Sequence, residues 1–170
     1  MPEDIGILYL RDVTERFKAH KKLGEKAIAQ VYDSGLTWRI DAESNSIAIL
    51  VQHLAGNMRS RWIGFLTSDG EKPDRNRDAE FEQEGPATRA ALLELWDDGW
   101  ARLFEALASL RPEDLSRTVM IRGAPHSALE AINIQLAHYA YHVGQIVQIA
   151  RHLAGPAWKS LSVPKRKPVG

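Results

Sequence analysis

The stretch SALEAINIQLAHYAYHVGQIVQIARHLAGP, residues 127 to 156, carries more of the fold than any other part of the chain. Ser127 and Glu130 stand three apart ahead of an apolar-periodic run, which is the spacing of a capping box at a helix N-terminus. Leu136, Tyr139, Val143, Ile146 and Ile149 then recur at steps of three and four. The segment therefore predicts one long helix reaching Leu153 or Ala154, stopped by Gly155-Pro156. His138 and His142 lie four apart inside it, so both imidazoles share one face, one turn apart. Two neutral imidazoles so placed can bind a single divalent cation.

Three further segments carry the same periodicity. The first runs from about Asp4 to Tyr32 and ends at Asp33-Ser34-Gly35, a C-terminal glycine signal. The second runs from about Ser46 to Thr67, with a stripe through Ile47, Leu50, Val51, Leu54 and Met58. The third starts at Pro86 or Ala87 and passes Leu92, Leu95, Trp96, Trp100, Leu103 and Leu107 until Arg111-Pro112 halts it. Trp96 and Trp100, four apart, are expected in the core. Between the third and fourth segments, RTVMIRG (117–123) alternates apolar and polar residues and permits one short strand. The expectation is an all-α, antiparallel four-helix bundle filling residues 1–170 as one domain, with 158–170 as an extended tail.

Composition narrows the class. At 170 residues, with 44% hydrophobic and 26% charged residues, the chain can bury a core without disulfide or metal support. Its 22 basic and 22 acidic side chains cancel, and no basic stripe interleaved with aromatics appears, so neither nucleic acid nor an anionic membrane is an expected partner. No run approaches the ~20 apolar residues of a spanning helix. The acidic N-terminus MPEDIGILYL is unlike a signal peptide. Cysteine is absent, which removes thiolate ligands and cysteine nucleophiles and fits a cytoplasmic location.

A His-x3-His pair on its own is more readily explained by hydrogen-bonded core or boundary imidazoles than by a metal. The surrounding helix is strongly apolar, however, and unpartnered imidazoles there would be desolvated without compensation. His53, beside Leu50 and Leu54 in HLAGNMRSRW, lies on the apolar flank of the second helix. If the two helices face each other, His53, His138 and His142 form a three-histidine site, the way bundles build metal centres from facing helices. Tyr139-Ala140-Tyr141 separates the pair, so the glutamate of an HExxH peptidase is missing. Gln145, three residues beyond His142, either orients that ring or is a solvated amide. His20, His126 and His152 read as ordinary: His126 in the turn leading into the fourth helix, His152 near its end, His20 on a wet face.

The polar stretch from Ser68 to Pro86 is long for a structureless loop. Residues 69–84 hold seven acidic side chains against Lys72, Arg75 and Arg77. Arg59, Arg61, Arg75 and Arg77 either present guanidinium forks to a carboxylate or phosphate, with Trp62 as an aromatic wall, or pair with Asp74, Asp78, Glu80 and Glu82 and pin the loop. Whether this loop covers the site is left open by the sequence.

His53 in QHLAGNM, with His138 and His142 in HYAYHVGQI, resembles the DinB-like superfamily of bacterial four-helix bundles. RSRWIGFLTSDGEKPDRNRDAEFE (59–82) and WKSLSVP (158–164) further resemble an uncharacterised subfamily of it. What the resemblance implies is a divalent metal, zinc, nickel or manganese, held by His53, His138 and His142. It also implies a small-molecule substrate and, often, a homodimer. Some relatives are thiol-dependent transferases that use low-molecular-weight thiols such as bacillithiol or mycothiol, and others are described as metal-dependent hydrolases. With three histidines and no fourth protein ligand the site is open, as in catalytic centres. The alternative is a non-catalytic, stress-associated or interaction protein with a relic site. Metal affinity is expected to fall as pH drops through the ordinary histidine pKa of ~6.5.

Overall fold

Each long helix starts on a side chain that accepts its free amides. In the computed structural model, which describes residues 3–82 and 87–163, Asp4 caps helix α1 (Ile5–Ile28), Ser46 caps α2 (Ile47–Trp62) and Thr88 caps α3 (Arg89–Ser109). Ser127 and Glu130 form the expected reciprocal box at the head of α4 (Ala128–Ala154). Such a cap contributes about 1 kcal/mol, because it satisfies amides that the helix itself leaves open.

The boundaries move inward from those the periodicity suggests. Helix α1 stops at Ile28, and its expected Asp33-Ser34-Gly35 terminus is a separate short 3-10 turn. Helix α2 ends at Trp62 rather than near Thr67, because the chain turns at Gly64, whose φ is 62°, and the amides of Thr67 and Ser68 fold back onto the Gly64 carbonyl. Pro86, one candidate start for the third helix, lies outside the described residues, as does the tail beyond Val163.

The four helices form the bundle, with α2 against α3, α1 against α4, and further contacts between α2 and α4 and between α1 and α3. Phe17, Trp96, Trp100 and Tyr139 fill its centre and are essentially inaccessible to solvent. Their rings meet edge-on or tilted at centroid distances of 5.5 to 6.2 Å, the arrangement aromatic quadrupoles favour. Beneath the histidine face, Trp62 Nε1 donates to Tyr139 Oη, which donates to Asn57 Oδ1, both at 2.9 Å. This satisfies polar groups that burial would otherwise penalise.

The single short strand expected between the third and fourth helices is one arm of a hairpin. Strand β1 (Thr118–Ile121) pairs antiparallel with β2 (Ala124–Ser127), with Ile121 opposite Ala124. His126 therefore belongs to a strand and not to a turn. The two-residue connection is Arg122-Gly123, with φ of 53° and 73°, as a primed hairpin turn requires. No helix among the described residues is long and apolar enough to cross a membrane.

Candidate metal centre

Helices α2 and α4 bring His53, His138 and His142 together, one ring-nitrogen donor from each lying within 4.8 Å of the other two. His53 and His142 are buried, and His138 is half-buried. Every Nδ1 atom faces an oxygen. Glu80 Oε2 is 2.9 Å from His53 Nδ1, Gln145 Oε1 is 2.8 Å from His142 Nδ1, and Gln135 Oε1 is 3.4 Å from His138 Nδ1. A carboxylate or amide oxygen only accepts, so each ring donates from Nδ1 and, when neutral, carries its lone pair on Nε2.

The lone pairs then converge. Nε2 of His53 and Nε2 of His138 are 3.2 Å apart. Two ligands on one ion with bonds of ~2.1 Å are spaced about this far apart. Burial pushes the His138 pKa down to about 3, reinforced by the charges of His142, His53, Arg61 and Arg75. Burial likewise lowers His142 to about 4, against the opposing hydrogen bond with Gln145. Both rings stay neutral well below the ordinary histidine range, which corrects the expectation of proton competition near pH 6.5 at these two positions. Imidazoles gathered in this way, each with Nδ1 held by an oxygen, fit a divalent cation of borderline softness.

The long loop after α2 supplies a ligand-orienting group that the sequence did not reveal. Ser60 Oγ donates to the Gly70 carbonyl and accepts from the Lys72 amide, while Lys72 Nζ reaches the carbonyls of Ser60 and Asp69. Asp69 accepts from the amides of Glu71, Arg122 and Gly123 and ties the loop to the hairpin. So anchored, the loop lays the short 3-10 helix Asp78–Phe81 against α2. Glu80 reaches His53 there and takes both arms of Arg75, Nε to Oε1 and Nη2 to Oε2, each at 2.7 Å. Burial raises the Glu80 pKa, but the bonds from His53 and Arg75 and the Arg75 charge outweigh it, leaving the carboxyl below its usual range. Gly56 makes this approach possible: a Cβ there would sit 2.2 Å from Glu80 Oε1. The Phe81 ring covers His53 at 4.7 Å.

The other sequence candidates separate. Trp62 is buried in the core against Phe65 and Phe17, away from the histidines' cavity. Arg59 pairs with Asp98 of α3 at 2.5 Å on the outer face of the bundle. Arg61 and Arg75 are buried, while Arg77 is half-exposed over the Phe81 ring. Of the acids proposed to pin the loop, Glu80 and Asp78 do pair with these arginines, and Glu71 and Asp98 supply the remaining partners. His152 stacks on Trp38, outside the site.

A cavity of about 690 Å³ opens beside the three rings. Phe81, Ile134, Ala137 and Tyr141 provide its apolar surface, and Arg61, Arg75, Arg77 and Arg122 its charge. No carboxylate lines it among the described residues.

The family model described as protein of unknown function (DUF1572) matches residues 4–167. Among solved structures, the DinB-like protein YjoA of Bacillus subtilis superposes with a TM-score of 0.66 at 13% identity, covering 92% of this chain and 99% of that one. The fold is therefore DinB-like, as the sequence resemblance implied. No curated protein matches the sequence.

Proposed function

Because this chain belongs to the DUF1572 family, whose description assigns no activity, we propose from its own residues that it binds one divalent metal ion through His53, His138 and His142 and acts on a small molecule in the adjoining cavity. The observation that carries this reading is the gathering of one ring nitrogen from each histidine within 4.8 Å of the other two, with each Nδ1 occupied by an oxygen so that Nε2 is left to ligate. A relic site would have no need to hold each ring in one tautomer. Zinc and nickel suit an all-imidazole ligand set better than manganese, which prefers oxygen ligands, and the three-ligand set leaves room for a substrate group.

A divalent ion held there supplies Lewis acidity, polarising an oxygen and making a bound water or thiol more acidic. The chain's own residues do the rest. Glu80, Gln135 and Gln145 fix the rings, and Phe81 shields His53 from water. Tyr139, between the two α4 histidines, points into the core and holds Asn57 rather than a substrate. Among the described residues no carboxylate lines the cavity, and none there is placed as a general base of the zinc-peptidase kind. Transfer of an external low-molecular-weight thiol, already largely ionised once its pKa is lowered, therefore fits better than hydrolysis. The absence of cysteine from the chain requires that such a thiol come from outside.

The test is metal content and turnover. Purified protein should carry close to one divalent ion per chain, and His53→Ala, His138→Ala and His142→Ala should each remove most of it. Loaded protein offered a panel of small thiols with electrophiles should turn over, and His142→Ala should abolish this. Metal that is sub-stoichiometric and identical in all four proteins would overturn the reading.

A further inference from the structure

The cavity beside the histidines has a charge imbalance that the metal reading does not use. Four guanidinium groups line it, Arg61, Arg75, Arg77 and Arg122, and among the described residues no acid does. Behind them, the Glu71 carboxylate is shared by Arg61, Arg75 and Arg122 at 3.2 Å each. Glu80 divides between Arg75 and His53. Asp78, 3.8 Å from Arg77, is almost fully solvated. Two buried-side carboxylates thus face four guanidinium groups. Arg61 is 7% exposed, and Glu71 reaches only its Nη2, leaving Nε and Nη1 without a hydrogen-bond partner among the described residues.

Arg122 adds a second, independent observation. It occupies the first central position of the Arg122-Gly123 turn at φ 53°, a left-handed conformation uncommon for a residue with a Cβ and better suited to asparagine or glycine. The turn is held there by Asp69, which accepts both of its amides. An arginine is thus kept at a place unfavourable to it, with its side chain lining the cavity. Strain of this kind concentrates at ligand-binding positions.

We propose that the cavity takes an anionic small molecule whose carboxylate or phosphate is gripped by Arg77 and Arg122, with Arg61 and Arg75 adding charge from below and Ile134 and Ala137 packing its apolar part. This names the substrate class for the metal site proposed above and rests on that reading for its chemistry, but the anion subsite is measurable by itself. Guanidinium forks match both oxyanions in shape and bind them with charge-assisted hydrogen bonds.

The experiment is calorimetric titration of succinate and, separately, inorganic phosphate into zinc-loaded, desalted protein and into the chelator-treated protein, at low ionic strength. The double variant Arg77→Gln/Arg122→Asn is titrated alongside. Both positions are solvent-exposed and asparagine suits the left-handed turn, so the variant should fold, which thermal melting verifies. We expect at least one probe to bind, the double variant to bind about tenfold or more weakly, and affinity to fall with added salt. The preferred probe distinguishes a carboxylate from a phosphate ligand. Binding that survives chelation and drops in the double variant upholds the subsite even where zinc titration finds no metal site. Failure of both probes, or affinity unchanged in the double variant, overturns the proposal while leaving the metal reading to its own test.

Discussion

Removing the Glu80 carboxylate should weaken metal binding more than any other change outside the three histidines. Glu80 is the one charged group that orients a ligand ring, and its bond to His53 Nδ1 is 2.9 Å long. Losing an oxygen acceptor of this kind reduces metal affinity by about 10- to 100-fold. Glu80→Ala should lie at the upper end, since among the described residues Glu80 alone bonds to His53 Nδ1. Glu80→Gln should lie at the lower end. Its amide can keep an oxygen toward His53 and Arg75 Nη2, but its NH2 must then oppose Arg75 Nε, a donor against a donor. Glu80→Ala also strands the guanidinium of Arg75, whose side chain is 5% exposed, with Glu71 alone. Leaving a buried charge uncompensated typically costs about 3 to 5 kcal/mol, here reduced by that remaining acid. Adding Arg75→Met removes the stranded charge, so the double variant should regain most of the stability while its metal affinity stays low. Competition against a fluorescent chelator gives the affinity, and urea denaturation of metal-free protein gives the stability. Native metal affinity in Glu80→Ala would falsify the orienting role. Affinity that returns together with stability in the double variant would reduce Glu80 to a partner of Arg75.

Two more outcomes follow from the same geometry. Gly56→Ala places a methyl 2.2 Å from Glu80 Oε1, so it should cost about 1 to 3 kcal/mol from overpacking and weaken metal binding without altering any polar group; a native metal affinity would show that the loop does not need this close approach. The metal-free protein should lose stability as pH falls from the ordinary histidine value of 6.5 toward 4. In the fold, His138 and His142 protonate only at about 3 and about 4, so across that window the unfolded chain takes up protons that the folded chain refuses. Each ring contributes a slope of at most about 1.4 kcal/mol per pH unit, and less where solvent reaches it. Urea midpoints at pH 7, 6 and 5 that coincide in wild type, or that shift equally in a His138→Gln/His142→Gln variant, would rule this out.

How far the chain could be read in advance depended on whether the deciding contact was local. The capping box at Ser127 and Glu130, the stripe through α4 and the His138–His142 spacing are all set within one or two helical turns, and periodicity exposes them directly. His53 was reachable because a bundle must turn the apolar flank of α2 inward. The hairpin was half visible. Strand β1 alternates, but Ala124-Pro125-His126-Ser127 has a proline and little β-branching, and it becomes a strand through its pairing with β1 and the Asp69-held turn. Trp62 misled for the converse reason: it is adjacent to Arg61 in sequence, but neighbouring helical residues point about 100° apart, so the arginine reaches the cavity and the tryptophan the core.

The arginines and acids of residues 69–84 show where local reading ends. Four arginines, Arg59, Arg61, Arg75 and Arg77, set against Asp74, Asp78, Glu80 and Glu82 suggest a loop that satisfies itself, and composition cannot say which acid finds which base. The structure divides them unequally. Glu80 pairs with Arg75 of the loop and also holds a histidine, and Glu71 is stretched over three guanidinium groups, one from α2, one from the loop and one from the hairpin. These two acids leave the cavity wall with more guanidinium groups than carboxylates, and one of those guanidinium groups is held out by a left-handed turn. The residual positive charge beside three convergent imidazole lone pairs is therefore better explained by what enters the cavity than by what holds its wall. Metal ion and anion would each lower the cost of the other's site, since facing lone pairs call for a cation and the guanidinium cluster for an anion.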